Sequence, residues 1–193
     1  MVGFDVLVSS SSVVVYAGFT APLDTDGPRF PVTGGCASVT DAYSYAPSCL
    51  TTVAIDGVQL ATISPTLLSN PFSSSSPVTA DAMLQVTGCG TTIEAPLHAR
   101  TGPAASGITT MRATGTVTVG WAATNADVTL VDVGSGFSDL ECLEPARTHA
   151  FPDLGNGAEI RGFVQPLLGP EITETRLGQV RVWYGDATGF TVP

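Results

Sequence analysis

The strongest constraint on the fold of this chain is a two-residue alternation of apolar and polar side chains, which recurs along most of the sequence. Segment 114–121, for example, places Val117, Val119 and Trp121 on one face and threonines on the other. No 11-residue window holds a helical stripe of apolar residues that is free of glycine, proline or β-branched runs. Alternation of this kind is typical of half-buried strands. The sequence therefore predicts an all-β protein.

The spacing of the turns predicts the architecture. About ten to twelve strands with short connections are typical of an antiparallel β-sandwich, jelly roll or barrel, with long loops and at most one short helix, at 137–144. Asp56-Gly57 predicts a tight hairpin that joins 51–55 to 58–63. A second hairpin is predicted around Gly88-Cys89-Gly90. We also predict that 114–121 and 128–133 are adjacent antiparallel strands of the core.

A length of 193 residues fits one large β domain. We predict a single domain over 1–193, with a loop-rich insertion near 64–77, where the serine run 73–76 is too polar to enter a core. Two small β domains that divide near 100–107 are the alternative, because Gly102, Pro103 and Gly107 interrupt the strand pattern there.

The charge balance excludes one class of partner and favours another. The net charge is -10, all seven basic residues are arginines, and lysine is absent. Because no cationic cluster offsets the acids, we expect no binding to nucleic acid. Only 12% of the residues are charged, about half the average for soluble domains. This low fraction predicts an apolar surface that other protein subunits cover, although a GC-rich genome also explains the missing lysines.

The sequence contains no run of 18 apolar residues, so we expect no membrane span. Residues 1–15 are interrupted by Asp5 and by the serines 9–12, and no basic residue precedes them. A secretory signal peptide would need a basic start and a continuous apolar segment. We therefore expect synthesis in a cytoplasm.

The four cysteines allow three sets of two disulfides. Cys36 and Cys49 flank a loop that contains Pro47, Tyr43 and Tyr45, and we predict this pair as the most plausible bridge. Buried reduced thiols are the alternative. Tyr43 and Tyr45 are also the predicted surface contacts, because tyrosines in loops commonly contact sugars or partner proteins.

No pattern predicts a metal or cofactor site. His98 and His149 are the only histidines and lack ligand spacing, so a metal site formed with Asp153 is disfavoured. Segment 24–27 resembles the start of a calcium loop but lacks its later acidic ligands. We expect no metal, no cofactor and no small-molecule ligand.

No pattern predicts catalysis either. Segment 134–136 comes closest to a serine-nucleophile motif and predicts only a turn. Two acidic pairs, Glu141 with Glu144 and Glu171 with Glu174, have the residue types of glycoside hydrolysis. Such pairs occur in any acidic protein and more commonly solvate a loop. We predict no catalytic residue, while a hydrolase with an unrecognised site stays a weaker hypothesis.

These observations together favour a virion structural protein without catalytic activity, at the capsid surface, as a decoration or minor capsid protein, or in a tail. Its partners would be copies of itself or other virion subunits. The alternative is a secreted or cell-surface β-sandwich that binds carbohydrate or protein, with oxidised cysteines in an extracellular location.

Overall fold

The computed structural model describes residues 2–19, 36–38, 50–62, 72–74, 76–88, 90–122, 124–133, 139–143, 148–153, 159–174 and 178–193. Every regular element within these ranges is a β-strand, which confirms the all-β prediction. The strands are β1 Val2–Val8, β2 Val13–Phe19, β3 Cys36–Ser38, β4 Leu50–Ile55, β5 Val58–Gln59, β6 Ala61–Thr62, β7 Phe72–Ser74, β8 Ala82–Gly88, β9 Thr91–Leu97, β10 Thr109–Ala113, β11 Thr116–Gly120, β12 Val128–Val133, β13 Asp139–Leu143, β14 Thr148–Pro152, β15 Ile160–Glu174, β16 Gly178–Tyr184 and β17 Thr188–Val192.

The described strands outnumber the predicted ten to twelve, partly because four of them have only two or three residues. Within the described ranges the chain contains no helix with the length and apolar character that crossing a bilayer would need.

The chain divides into two compact units. Unit 1 comprises Met1–Thr25, Asp41–Thr101 and Gly169–Tyr184, and unit 2 comprises Asp26–Thr40, Gly102–Leu168 and Gly185–Pro193. The long strand β15 changes unit between Leu168 and Gly169.

Unit 1 is a β-sandwich with a mixed first sheet. Strand β1 pairs in parallel with β16 and antiparallel with β2, and β7 and β6 continue this sheet. The second sheet has the order β5-β4-β8-β9. One apolar cluster joins the facing surfaces of the two sheets, which are lined on one side by Phe4, Val6, Val8, Val13, Val15, Val180, Val182 and Tyr184 and on the other by Val53, Leu84, Val86, Ile93, Ala95 and Leu97.

Both predicted hairpins are confirmed in unit 1, but the return strand of the first is shorter than the predicted 58–63, because Ala61 and Thr62 pair with β7 instead. Strand β4 pairs with β5, and Asp56 and Gly57 between them have φ angles of 47° and 79°. These positive angles favour Asp-Gly in the tight turn of a hairpin. Strand β8 pairs with β9 from Gly88↔Thr91 to Ala82↔Leu97. In β9 the buried residues alternate with exposed ones, as the sequence pattern indicates.

Unit 2 is a second β-sandwich. One sheet contains β3-β13-β12 and the first part of β15, which also pairs with β17. The other sheet has the order β10-β11-β14. Its core joins both sheets and consists of Ala105, Val117, Val119, Trp121, Val131, Ile160, Val164 and Val192. Trp121 is only 5% exposed, so its predicted burial is confirmed.

The predicted pairing of 114–121 with 128–133 is wrong. Strand β11 pairs with β10 and β14, whereas β12 pairs with β13 and β15. The two segments belong to opposite sheets, and Val119 and Val131 enter the same core from them. Alternation identifies the buried face of a strand but not its neighbour, and a strand can bury that face against the opposite sheet.

Two smaller expectations also change. The segment predicted to form a helical turn, 137–144, contains strand β13, because pairing with β12 and β3 outweighs local preference. The serine run expected in a loop contributes Ser73 and Ser74 to β7, which pairs with β2 and β6. Residues 64–71 and 75 of that predicted insertion lie outside the described part of the chain.

Candidate functional site

A polar cluster in unit 1 brings together side chains that are far apart in the sequence. Tyr184 ends β16, and its ring is fully buried. Its hydroxyl accepts a hydrogen bond of 2.9 Å from the backbone N–H of His98, just after β9. The same hydroxyl donates to Oε2 of Glu171 in β15 over 3.1 Å. One hydroxyl therefore links β15 to the segment that follows β9, a strand of the opposite sheet.

Arg100 neutralises the acidic side of this cluster. Its Nη2 lies 3.0 Å from Oε1 of Glu171. Its guanidinium also lies over the ring of Tyr184, 3.8 Å from the centroid. A cation over an aromatic face adds electrostatic attraction to the ion pair. Glu171 thus has both carboxylate oxygens engaged, which satisfies its charge.

Asp81 holds the 98–100 segment from the other side. Its Oδ1 accepts a 2.9 Å hydrogen bond from the N–H of Ala99, and its Oδ2 lies 3.5 Å from Nδ1 of His98. The Ala99 bond, followed by the His98 bond, lowers the pKa of Asp81. These contacts favour the ionised form of Asp81 and fix the segment after β9.

The cluster predicts a pH-dependent contribution to stability. Burial is the largest cause that raises the pKa of Tyr184; the His98 N–H opposes it, and the Glu171 charge adds to it. Above about pH 10 the unfolded chain ionises this tyrosine before the folded chain does, so folding stability falls as pH rises. Below pH 10 we expect the free energy of unfolding of the wild type to exceed that of Tyr184→Phe by about 1–2 kcal/mol, because the variant leaves the His98 N–H without its acceptor.

Urea unfolding of both proteins between pH 7 and about pH 11 measures this difference. The other three tyrosines are present in both proteins, so their titration cancels to first order. The difference should shrink above about pH 10. A difference that stays constant through that range would show that Tyr184 titrates normally in the folded state.

A second feature of unit 1 is a half-open apolar groove beside the β4–β5 hairpin, with a volume of about 320 Å³. Its lining comprises Ile55, Asp56, Val58, Leu60, Ser74, Ser76, Pro77, Val78, Thr79, Ala80 and Ala82. Val58 at its edge is 71% exposed. Met83, whose N–H donates to Oδ1 of Asp56 over 2.8 Å, is 37% exposed. Apolar side chains and the hydroxyl groups of serine and threonine together line the groove.

The residues considered for a metal site have other partners or belong to different units. His98 lies in unit 1, whereas His149 and Asp153 lie in unit 2. Oδ2 of Asp153 is 3.0 Å from Nε of Arg112, and Arg112 also donates to the carbonyl of Pro193. Among the described residues, no group of three histidine, cysteine or acidic side chains has the arrangement of a metal site.

The remaining predicted positions are only partly described. Tyr43, Tyr45, Cys49 and segments 24–27 and 134–136 lie outside the described residues, so the predictions made for them stay predictions. Cys36 begins β3, and the backbone register places it opposite Cys142 of β13. Glu141 faces Ala37 in the same ladder, and Glu144 lies outside the described residues.

Sequence reasoning missed Asp81, Tyr184 and the groove as parts of any site. No spacing pattern connects these positions, because the sandwich topology alone brings them together. One feature of the sequence indicated the groove: Val58 directly follows the Asp56-Gly57 turn, and residues beside a tight turn are commonly exposed.

Comparison with known proteins gives no family. No protein-family model matches the sequence, and no curated protein matches it. A central fibronectin-III array of RIM-binding protein aligns with 96% of this chain at 12% identity and a TM-score of 0.32. The chicken CNTN1 FN1–FN3 domains align with 99% at 8% identity and the same TM-score. This chain spans 66% and 63% of those two chains. At these TM-scores the likenesses carry no conclusion about function.

Proposed function

We propose that this chain is a non-catalytic structural subunit of a virion, at the capsid surface or in a tail, and that it acts by packing against copies of itself or other subunits. The groove beside the β4–β5 hairpin is the observation that carries the proposal. Its lining side chains Ile55, Leu60 and Val78 are apolar, and Val58 at its edge is exposed. An apolar groove lined by an exposed valine is a candidate contact site for another protein.

The charge distribution supports the same proposal. Only 12% of the residues are charged, so a contact with another subunit would desolvate few charges, and a subunit with a basic surface would relieve the net charge of -10. Edge strand β10 of unit 2 exposes Thr109, Met111 and Ala113, and Met111 is 61% exposed. Lysine commonly protects exposed strand edges from pairing, and this chain has none. The two units therefore each present a surface suited to another protein.

We expect the isolated full chain to form oligomers or larger assemblies, with a mass by light scattering of at least twice 19.7 kDa. Val58→Asp should shift the protein toward the monomer, because it places a charge at the edge of the apolar groove. The matched control is Asn125→Asp, which adds the same charge at an exposed position of unit 2. Equal assembly of both variants would show that the groove is not the contact.

A monomeric chain at high concentration would contradict assembly through its own copies. The secreted or cell-surface β-sandwich is the second candidate, and the facing positions of Cys36 and Cys142 favour it, because disulfides persist in oxidising compartments. Neighbouring genes distinguish the candidates. Capsid or tail genes on either side would support the virion subunit, and an export signal upstream of Met1 would support the secreted module.

A further inference from the structure

Two cysteines that are more than a hundred positions apart hold facing positions in unit 2. Strand β3 pairs antiparallel with β13, and the register sets Cys36 opposite Cys142, Ala37 opposite Glu141 and Ser38 opposite Leu140. We propose that Cys36 and Cys142 form a disulfide that fastens β3 to β13, and that the remaining cysteines, Cys49 and Cys89, pair with each other.

The backbone geometry allows this bond. Directly opposite residues of antiparallel strands have Cα atoms about 4.5–5.5 Å apart. A disulfide requires a Cα separation of about 4.4–6.8 Å, so the facing positions need no backbone movement. Opposite residues in such a ladder also share one face of the sheet. The positions of Cys36 and Cys142 thus meet the requirement on Cα separation for a disulfide.

The partner of β3 also supplies a reason for the bond. Strand β3 has three residues, and among the described strands it lies at the end of the sheet order, next to β13. With three facing residue pairs, a short edge strand is only weakly stabilised by its neighbour. A covalent link at its first residue would keep β3 in register, and it would close a loop of about a hundred residues in the unfolded chain.

Once Cys36 and Cys142 pair, Cys49 and Cys89 are the two cysteines that remain, and the described residues next to them face each other. Cys49 precedes Leu50 and Cys89 follows Gly88, and Leu50 faces Gly88 in the ladder between β4 and β8. Both bridges then fall within one unit each, since 36 and 142 belong to unit 2, and 49 and 89 to unit 1.

This assignment differs from the Cys36–Cys49 bridge that spacing predicts, which would connect residues of different units. Each bridge forms when two thiols lose two protons and two electrons. A disulfide oxidant such as oxidised glutathione accepts the electrons by thiol–disulfide exchange and becomes two thiols. Oxidising compartments, which include virion and cell surfaces, maintain such bonds, so the pairing does not depend on the proposed function.

Peptide mapping without reduction tests the assignment directly. The full chain is equilibrated with oxidised and reduced glutathione, free thiols are alkylated, and the protein is cleaved before aspartate. The aspartates place each cysteine on a separate peptide, namely 26–40, 41–55, 81–126 and 139–152. We expect mass spectrometry to find 26–40 linked to 139–152, and 41–55 linked to 81–126. Linkage of 26–40 to 41–55 or to 81–126, or four alkylated thiols, would overturn the proposal.

Single variants provide matched controls. In Cys142→Ser, peptide 26–40 should carry an alkylated thiol while 41–55 stays linked to 81–126. In Cys89→Ser, peptide 41–55 should be alkylated while 26–40 stays linked to 139–152. A rearrangement in which Cys142→Ser leaves Cys36 bonded to Cys49 in all molecules would contradict the facing-pair assignment. The wild-type map decides the question if either variant does not fold.

Discussion

Replacement of Trp121 by alanine is expected to lower the free energy of unfolding by about 3–5 kcal/mol. The side chain is 5% exposed and lies in the core of unit 2 with Val117, Val119 and Val131. Alanine would remove most of these apolar contacts and leave a cavity. The strands around it are fixed by pairing within their own sheets, so they cannot move in to fill it. Urea unfolding followed by circular dichroism measures the change.

Two controls separate packing from other causes. The indole N–H of Trp121 has no hydrogen-bond partner among the described residues, so Trp121→Phe should retain most of the stability. Met111→Ala removes a 61% exposed side chain of the same unit and should change stability by about 0.5 kcal/mol or less. A loss under about 1 kcal/mol for Trp121→Ala would contradict burial of the indole.

Gly185→Ala is expected to destabilise the protein by about 3 kcal/mol, at the upper end of the usual cost of overpacking. A Cβ atom at this position would lie 1.9 Å from the carbonyl oxygen of Pro166 and 3.0 Å from Cδ2 of Leu167. The oxygen belongs to the backbone of β15, so it cannot move away as a side chain would. Displacement of Gly185 would also strain the 2.9 Å hydrogen bond that its carbonyl accepts from Gln165.

Gly189→Ala is the matched control, because it introduces the same methyl group four positions later. The nearest atom to a Cβ there is the carbonyl oxygen of Gly162, at 3.8 Å, which is ordinary contact. We expect this variant to be neutral or slightly stabilising, since alanine restricts the unfolded chain more than glycine does. Similar thermal unfolding midpoints for both variants would show that the backbone of β15 shifts near Pro166 and accommodates the methyl group.

The buried faces of the strands were predictable because the signal for them is local. In β9, for example, Ile93, Ala95 and Leu97 are buried, whereas Thr92, Glu94 and Pro96 are exposed. The two hairpins were predictable for the same reason. Asp56 and Gly57 adopt the positive φ angles that a two-residue hairpin turn requires. In each case one short segment contains all the information.

The neighbours of strands were not predictable from such patterns. Alternation in β11 and the mostly apolar sequence of β12 indicate two core strands, yet both patterns are equally satisfied when the strands pair within one sheet and when they face each other across the core. Asn125, Ala126 and Asp127 lie between the two segments and suggested a turn that would pair them. In the structure β11 instead lies between β10 and β14.

The sequence by itself determined the all-β class, the hairpin turns, the burial of Trp121 and the low fraction of charged residues. The fraction follows from composition, and the other three features follow from patterns that extend over a few residues. Only the tertiary structure decided that Tyr184 joins Glu171 to the His98 segment, that a groove opens beside Val58, and that Cys36 faces Cys142. Each of these features depends on pairing between distant segments. Pairing of that kind is selected by the packing of the whole sandwich, so no local pattern records it.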